Sequence, residues 1–361
     1  MAPTNTLYYG EKLDILHKTG GVGVIRRRGA LAVIAACAVM AACSQPVPSA
    51  PATAATPNVA RDIRPPTFVT AAPANQQLMP SFSTTAPPIV GGRRVTIGGD
   101  RPTTLYVPEA DGPVPLLMLL HAFGGSGQWQ EDYWLLGRVA ASHGIAFLHP
   151  DGTMSSRGPK PRFWNATEAC CDFDHTAVDD SAYLDGLIAE ARAVAAIDPH
   201  RIFVVGHSNG GFMSYRMACE HADEVAAVAA FGSATFATPS DCRPSRPVAI
   251  LHIHGAADRT IPYEGIHTAT ILVPGAVEST EMWAAYDGCE PKLIETDQRV
   301  DVAADAEGPA GPAESIVSVA SDCDPGGHVE LWTIPGTDHF PELSATFADS
   351  VVGFLLAHPK P

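Results

Sequence analysis

The chain has 361 residues, 46% of them hydrophobic and 17% charged, a balance that sets aside disordered, collagen-like and coiled-coil classes and allows a sizeable buried core. Formal net charge is −16; the first 43 residues hold five Lys/Arg against two Asp/Glu, so the remainder carries 18 against 37, a net of −19. So acidic a body argues against a nucleic-acid partner and against electrostatic adsorption to anionic lipid, because phosphate groups would repel it.

From the N-terminus, Arg26, Arg27 and Arg28 precede the uncharged run GALAVIAACAVMAA at 29–42, which ends at Cys43. Basic residues, a short apolar stretch and then small residues describe a signal peptide, here residues 1–43. As a helix the run would rise only about 21 Å, short of the roughly 30 Å of a hydrocarbon core. Met40-Ala41-Ala42-Cys43 resembles a bacterial lipobox, in which the cysteine becomes the lipidated first residue of the mature protein. Cleavage after Ala42 without lipid is the alternative. The residues ahead of the arginines are unlike a leader's basic region, and initiation near Val22 or Val24 would remove most of them.

Residues 44–90 contain ten prolines among Ala, Thr and Ser. With little bulky apolar material such a segment cannot offset the entropy of ordering itself, so residues 44–87 read as a disordered tether and 88–361 as one folded domain. Six cysteines fall in that domain: Cys170, Cys171, Cys219, Cys242, Cys289 and Cys323. An even number in an exported domain points to disulfides, and nearest-in-chain pairing joins Cys219 to Cys242 and Cys289 to Cys323. Adjacent Cys170 and Cys171 bridge each other, bridge elsewhere or stay reduced. No C-x-x-C spacing supports a zinc site.

Within the domain a hairpin at 94–97 and 104–107 comes first. The continuously apolar run at 114–121 then reads as a strand buried on both faces, with further buried strands at 145–149, 201–205, 225–231, 248–254 and 329–334. Leu184, Leu187, Ile188, Ala191 and Ala195 form a helical stripe within 181–196, capped by Asp179 or Asp180. Two more helices are expected at 209–221 and 346–357. Strands alternating with helices call for an α/β fold with a mostly parallel central sheet covered on both faces. Residues 299–327, rich in Asp, Ala, Gly and Pro, read as an exposed excursion.

Chemistry concentrates after the strand at 201–205. Gly206-His207-Ser208-Asn209-Gly210 is G-x-S-x-G between a strand and a helix, where a strained turn raises a serine Oγ at the sheet edge and leaves amides free to bind an oxyanion. A serine hydroxyl is a poor nucleophile without a histidine base, itself held in one tautomer by a carboxylate. Asp258 follows the strand VAILHIHG and His339 follows VELWTI, so Ser208, Asp258 and His339 come in the chain order that this type of site requires. Asp338 points away from its neighbour His339 and reads as a loop carboxylate. His252 and His254 share one strand face; lacking a third ligand nearby, they read as core histidines rather than metal ligands. One oxyanion donor is the N–H of Asn209, the other an amide in 121–125, for which Phe123 is the nominee. His207 packs in the elbow or lines the pocket. Of Trp129, Trp134 and Trp164, the last is the one expected to line a subsite.

LHIHGAADRTIPYEG, GHSNGGFMSYRMACE, FWNATEACC with a following VDD, and the segment leading to His339 resemble the secreted polyhydroxybutyrate depolymerase and feruloyl esterase family over residues 92–357. That resemblance implies an α/β-hydrolase fold, a triad at Ser208, Asp258 and His339, no metal or organic cofactor, and cleavage of short hydroxyalkanoate esters or of aromatic acyl esters on polysaccharide. His121-Ala122-Phe123 stands where the family often has His-Gly-Cys, and Phe340-Pro341 where many members have Trp-Pro. Both departures lie where acyl or alcohol groups would be gripped, which makes Phe340 a substrate-contact candidate. The expected protein is an exported serine esterase taking a small or polymeric ester, tethered to a membrane only through lipid on Cys43. An envelope acyltransferase and a catalytically inactive binding module on the same fold are the alternatives.

Overall fold

A computed structural model describes residues 89–156, 160–304 and 313–361, together with Met79. The expected signal peptide, Cys43 and, Met79 apart, the tether lie outside the described residues.

In chain order the sheet strands are β1 (Arg93–Ile97), β2 (Thr103–Val107), β3 (Val114–Leu120), β4 (Ala146–Leu148), β5 (Ile197–His207), β6 (Ala227–Phe231), β7 (Ala249–Gly255), β8 (Ile294–Val300), β9 (Ser315–Val319) and β10 (Val329–Ile334). They form one ten-stranded sheet ordered β1-β2-β4-β3-β5-β6-β7-β10-β9-β8. The run from β4 to β10 is parallel, and antiparallel pairs finish both edges. The helices are α1 (Gly127–Trp134), α2 (Leu136–Ser142), α3 (Asp180–Val194), α4 (Asn209–Glu220), α5 (Ala276–Tyr286) and α6 (Phe347–Ala357).

Because side chains alternate along a strand, the apolar run of β3 feeds two cores. Leu116, Met118 and Leu120 join α3, α4 and Trp283 of α5 on one face. Leu117 and Leu119 join Trp134, Leu136 and Ala140 with Val351 and Val352 of α6 on the other. The stripe foreseen on α3 is buried at Leu184, Leu187, Ile188 and Ala191, while Ala195 falls just past the helix as its half-buried C-cap, and Asp179 caps the start by accepting from the Ala182 N–H at 3.0 Å. Cys219–Cys242 and Cys289–Cys323 are bridged, closing separations of 23 and 34 residues, and Cys170–Cys171 is a bridge between neighbours. Loop closure makes each of the two long bridges worth about 3 to 4 kcal/mol.

The excursion expected at 299–327 is not simply exposed: β9 lies within it and β8 runs into its start. β9 is only half buried and β8 is a charged outer strand, a composition that blunts a sheet edge and hides the strand signal. Helices α1, α2 and α5 went unforeseen. α1 and α2 are short and abut at Leu135, leaving little room for a periodic stripe.

Candidate active site

The turn between β5 and α4 holds Ser208 at φ +53° and ψ −121°, a region that costs a non-glycine residue free energy and persists only where its surroundings impose it. They do so here. A Cβ on Gly206 would lie 2.2 Å from the Gly210 carbonyl oxygen, and one on Gly210 would lie 2.2 Å from that of Leu120, so both positions flanking the turn demand glycine. The Ser208 N–H donates to the Phe231 carbonyl at 2.8 Å.

At the same edge of the sheet, Asp258 follows β7 and His339 follows β10. His339 Nδ1–H donates to Asp258 Oδ2 at 2.7 Å. Asp258 Oδ1 accepts the backbone N–H groups of Thr260 and Ile261 at 2.8 and 2.9 Å. Burial alone would raise the Asp258 pKa, but the hydrogen bond from His339 and the nearby His254 ring overcome it and hold the group below the ordinary carboxylate range. The other ring nitrogen, His339 Nε2, is buried and has no hydrogen-bond partner among the described residues. Gly232, next to the residue that anchors the Ser208 amide, sits so close beneath His339 that a Cβ there would be 3.1 Å from Nδ1. The structure therefore brings Ser208, Asp258 and His339 together at one sheet edge.

Amides for an anion are also present. Ala122 N–H donates to Gln130 Oε1, Gly124 N–H to the Arg162 carbonyl and Gly125 N–H to the Ala122 carbonyl. Phe123 N–H alone of these four is without an acceptor among the described residues. Asn209 opens α4, where first-turn N–H groups have no intrahelical acceptor.

Two residues expected to touch substrate are instead fully buried. Trp164 is fully buried in the core, its Nε1–H donating to the His121 carbonyl and its backbone N–H and C=O both engaged by the Asn209 side chain at 2.7 and 2.8 Å. His207 is fully buried too; its Nε2–H donates to the His339 carbonyl at 2.9 Å, and Tyr133, Trp134, Phe231 and Phe340 surround its ring. Burial, then the neighbouring His339, holds the His207 pKa well below the usual imidazole value, so it is a neutral wedge behind His339. Phe340 is half-buried, with its ring edge-on to His339 at 4.8 Å and to Trp129 at 6.0 Å. Trp134 is packed in the core. Asp338 pairs with Arg259, as a loop carboxylate should, and also accepts the His339 N–H at 2.8 Å.

Sequence reasoning missed the Asn209 side chain, which clamps the elbow to Trp164 and reaches Cys170 Sγ at 3.4 Å. It read Asp180 only as a possible helix cap, whereas the residue is fully buried and accepts from Arg101, Thr153 and the Asn165 N–H. The only signal for either was adjacency to a motif.

A family model described as the alpha/beta hydrolase fold matches residues 115–260, the stretch from β3 through the elbow to the loop of Asp258. The chain has the α/β-hydrolase fold. It is 28% identical over 347 residues to "Putative esterase NocK" of Nocardia uniformis subsp. tsuyamanensis, covering 92% of this chain and 94% of that one. To feruloyl esterase B of Piromyces equi it is 32% identical over 192 residues, half of this chain and 34% of the relative, so the chain spans about a third of that longer protein. An acetyl xylan esterase from Aspergillus awamori superposes with a TM-score of 0.50 at 14% identity, over 73% of this chain and 98% of that one, which shows the common fold.

Proposed function

We propose that the protein is an exported serine esterase that hydrolyses carboxylic esters, aromatic acyl or short hydroxyalkanoate, through an acyl-enzyme on Ser208. The observation that carries this reading is a carboxylate-bound histidine whose outer nitrogen is buried and unpartnered among the described residues, at the same end of the parallel sheet as a strained elbow serine. His339 Nε2 takes the Ser208 Oγ proton as Oγ bonds to the ester carbonyl carbon, and Asp258 stabilises the imidazolium. The tetrahedral oxyanion is held by the N–H groups of Asn209 and Phe123, each worth about 3 kcal/mol to the transition state. His339 then hands its proton to the departing alkoxide, and the same groups activate the water that releases the acid.

Phe340 beside His339 with Trp129 edge-on to it, and Phe123 edge-on to exposed Phe173 at 5.4 Å, offer aromatic surface that suits an aromatic acyl group. Relatives named feruloyl esterase agree with that preference. Three disulfides suit an oxidising compartment, and the leader and proline-rich tether support export with lipid on Cys43.

The test is turnover of p-nitrophenyl acetate, butyrate and octanoate, methyl ferulate and hydroxybutyrate oligomers by the chain and its Ser208→Ala variant. Serine-dependent release of acid is expected, methyl ferulate ranking above the hydroxybutyrate oligomers. Transfer to added sugars without hydrolysis would replace the reading by an acyltransferase. A folded sample that neither turns over nor labels with a fluorophosphonate would end it.

A further inference from the structure

Behind the acid of the site lies a row of buried polar side chains that the mechanism above does not use. Tyr215 of α4 meets His252 Nδ1 at 2.6 Å; His252 Nε2 meets His254 Nδ1 at 2.9 Å; His254 Nε2 meets the Ile261 carbonyl at 2.8 Å and lies 3.5 Å from Asp258 Oδ2. Tyr215, His252 and His254 have no exposed surface.

The direction of every bond in this row follows from its last member. A carbonyl oxygen only accepts, so His254 Nε2 carries a proton. In the neutral ring Nδ1 is then an acceptor, so His252 Nε2 is the donor to it, and His252 Nδ1 in turn accepts the Tyr215 hydroxyl proton. All donors therefore run one way, from Tyr215 towards Asp258, and the row ends with an N–H beside the oxygen that also holds His339.

We propose that His254, locked in this tautomer by His252 and Tyr215, is a positioning residue that orients the Asp258 carboxylate and lowers the basicity of the Asp258–His339 pair. The inference rests on the esterase reading and deepens it. His254 supplies a third direction of constraint: Thr260 and Ile261 fix Oδ1 and His339 draws Oδ2 outward, while the His254 N–H end draws Oδ2 back toward β7. Burial holds His252 and His207 well below the usual imidazole range and keeps Tyr215 and Tyr263, which packs edge-on against His254, protonated. Asp338 is paired with Arg259 on the outer side. Asp258 is thus the anion facing the row.

The variants are His254→Phe, which keeps an aromatic ring and removes the donor, and His254→Gln, whose amide N–H reaches near the Nε2 position. The readout is the acid limb of kcat/KM, which reports protonation of the free enzyme's base. Without the N–H, Asp258 and His339 both become more basic, so the limb in His254→Phe moves up by about half to one pH unit and kcat falls about tenfold. His254→Gln returns the limb towards wild type. A merely structural role would scale the whole profile and leave the limb in place, and that result overturns the proposal.

Should His254→Phe fail to fold, nitrogen NMR of histidine-labelled wild-type protein decides: Nε2-protonated, Nδ1-bare rings at both His252 and His254 are expected, and any other tautomer overturns the row. Ser208→Ala separates the two claims. If it retains turnover, the esterase site itself is wrong; if it loses turnover while the limb stands still, only the role of His254 is.

Discussion

Replacing Asp258 by Asn is the sharpest perturbation of the site, because the structure dictates which way the amide must face. The N–H groups of Thr260 and Ile261 both point at Oδ1, so the Asn carbonyl oxygen occupies that place and its NH2 takes the place of Oδ2. There it meets His339 Nδ1 at about the present 2.7 Å, donor against donor, unless His339 moves its proton to Nε2. That tautomer relieves the clash and disables the base, since the nitrogen meant to take the serine proton already carries one. The same acid-to-amide exchange in a serine protease triad lowers kcat about 10⁴-fold, about 5.4 kcal/mol at 1.36 per decade. We expect a loss of this order in kcat for p-nitrophenyl acetate at pH 7, with unfolding temperature little changed. Asp338→Asn is the control, expected to cost less than tenfold because Asp338 pairs with Arg259 and accepts the backbone N–H groups of Arg259 and His339, and the Asn carbonyl oxygen can still accept those N–H groups. An Asp258→Asn loss below tenfold, or a larger one from Asp338→Asn, would refute the tautomer argument.

Asn209→Ala leaves the backbone N–H and C=O of buried Trp164 without partners; at about 1 to 3 kcal/mol each, urea unfolding should show a loss of at least about 2 kcal/mol. Asp287 is buried with its carboxyl pKa pushed by burial from 3.8 up to about 8. A raised folded pKa gives stability that is whole below pH ~4 and drains away as pH climbs to about 8. Asp287→Asn should therefore unfold at a higher temperature than wild type at pH 8 and at a similar one at pH 4. Replacing both Cys219 and Cys242 by Ser should lower stability by about 3 kcal/mol in the same urea assay, and an unchanged midpoint would mean the bridge does not constrain the unfolded chain.

The placement of Ser208, Asp258 and His339 at one end of the sheet was legible because its signals are local and ordered: a glycine-flanked serine after a strand, then a carboxylate and an imidazole, each just past a strand. What escaped depends on which way a side chain faces once helices have docked. His207 and Trp164 sit inside or near motifs, which suggested substrate contact, yet docking turns both into the core. The shared face of His252 and His254 could be read from strand alternation, but their partner Tyr215 arrives from α4, and no spacing announces that meeting. The strands β8 and β9 escaped for an opposite reason, since a half-exposed edge pair carries too little apolar alternation to stand out beside charge.

The supports of Ser208, Asp258 and His339 are consecutive rungs of one ladder: β5, β6, β7 and β10 are hydrogen-bonded neighbours, spaced by the roughly 4.8 Å that any sheet imposes. Alignment of the reacting atoms is thus inherited from backbone pairing, while the chain between rungs is free to lengthen. Between β7 and β10 it runs 73 residues, Ala256 to His328, and adds two strands to the far edge without entering the ladder between acid and base. New specificity can accumulate in that long detour at little cost to catalysis.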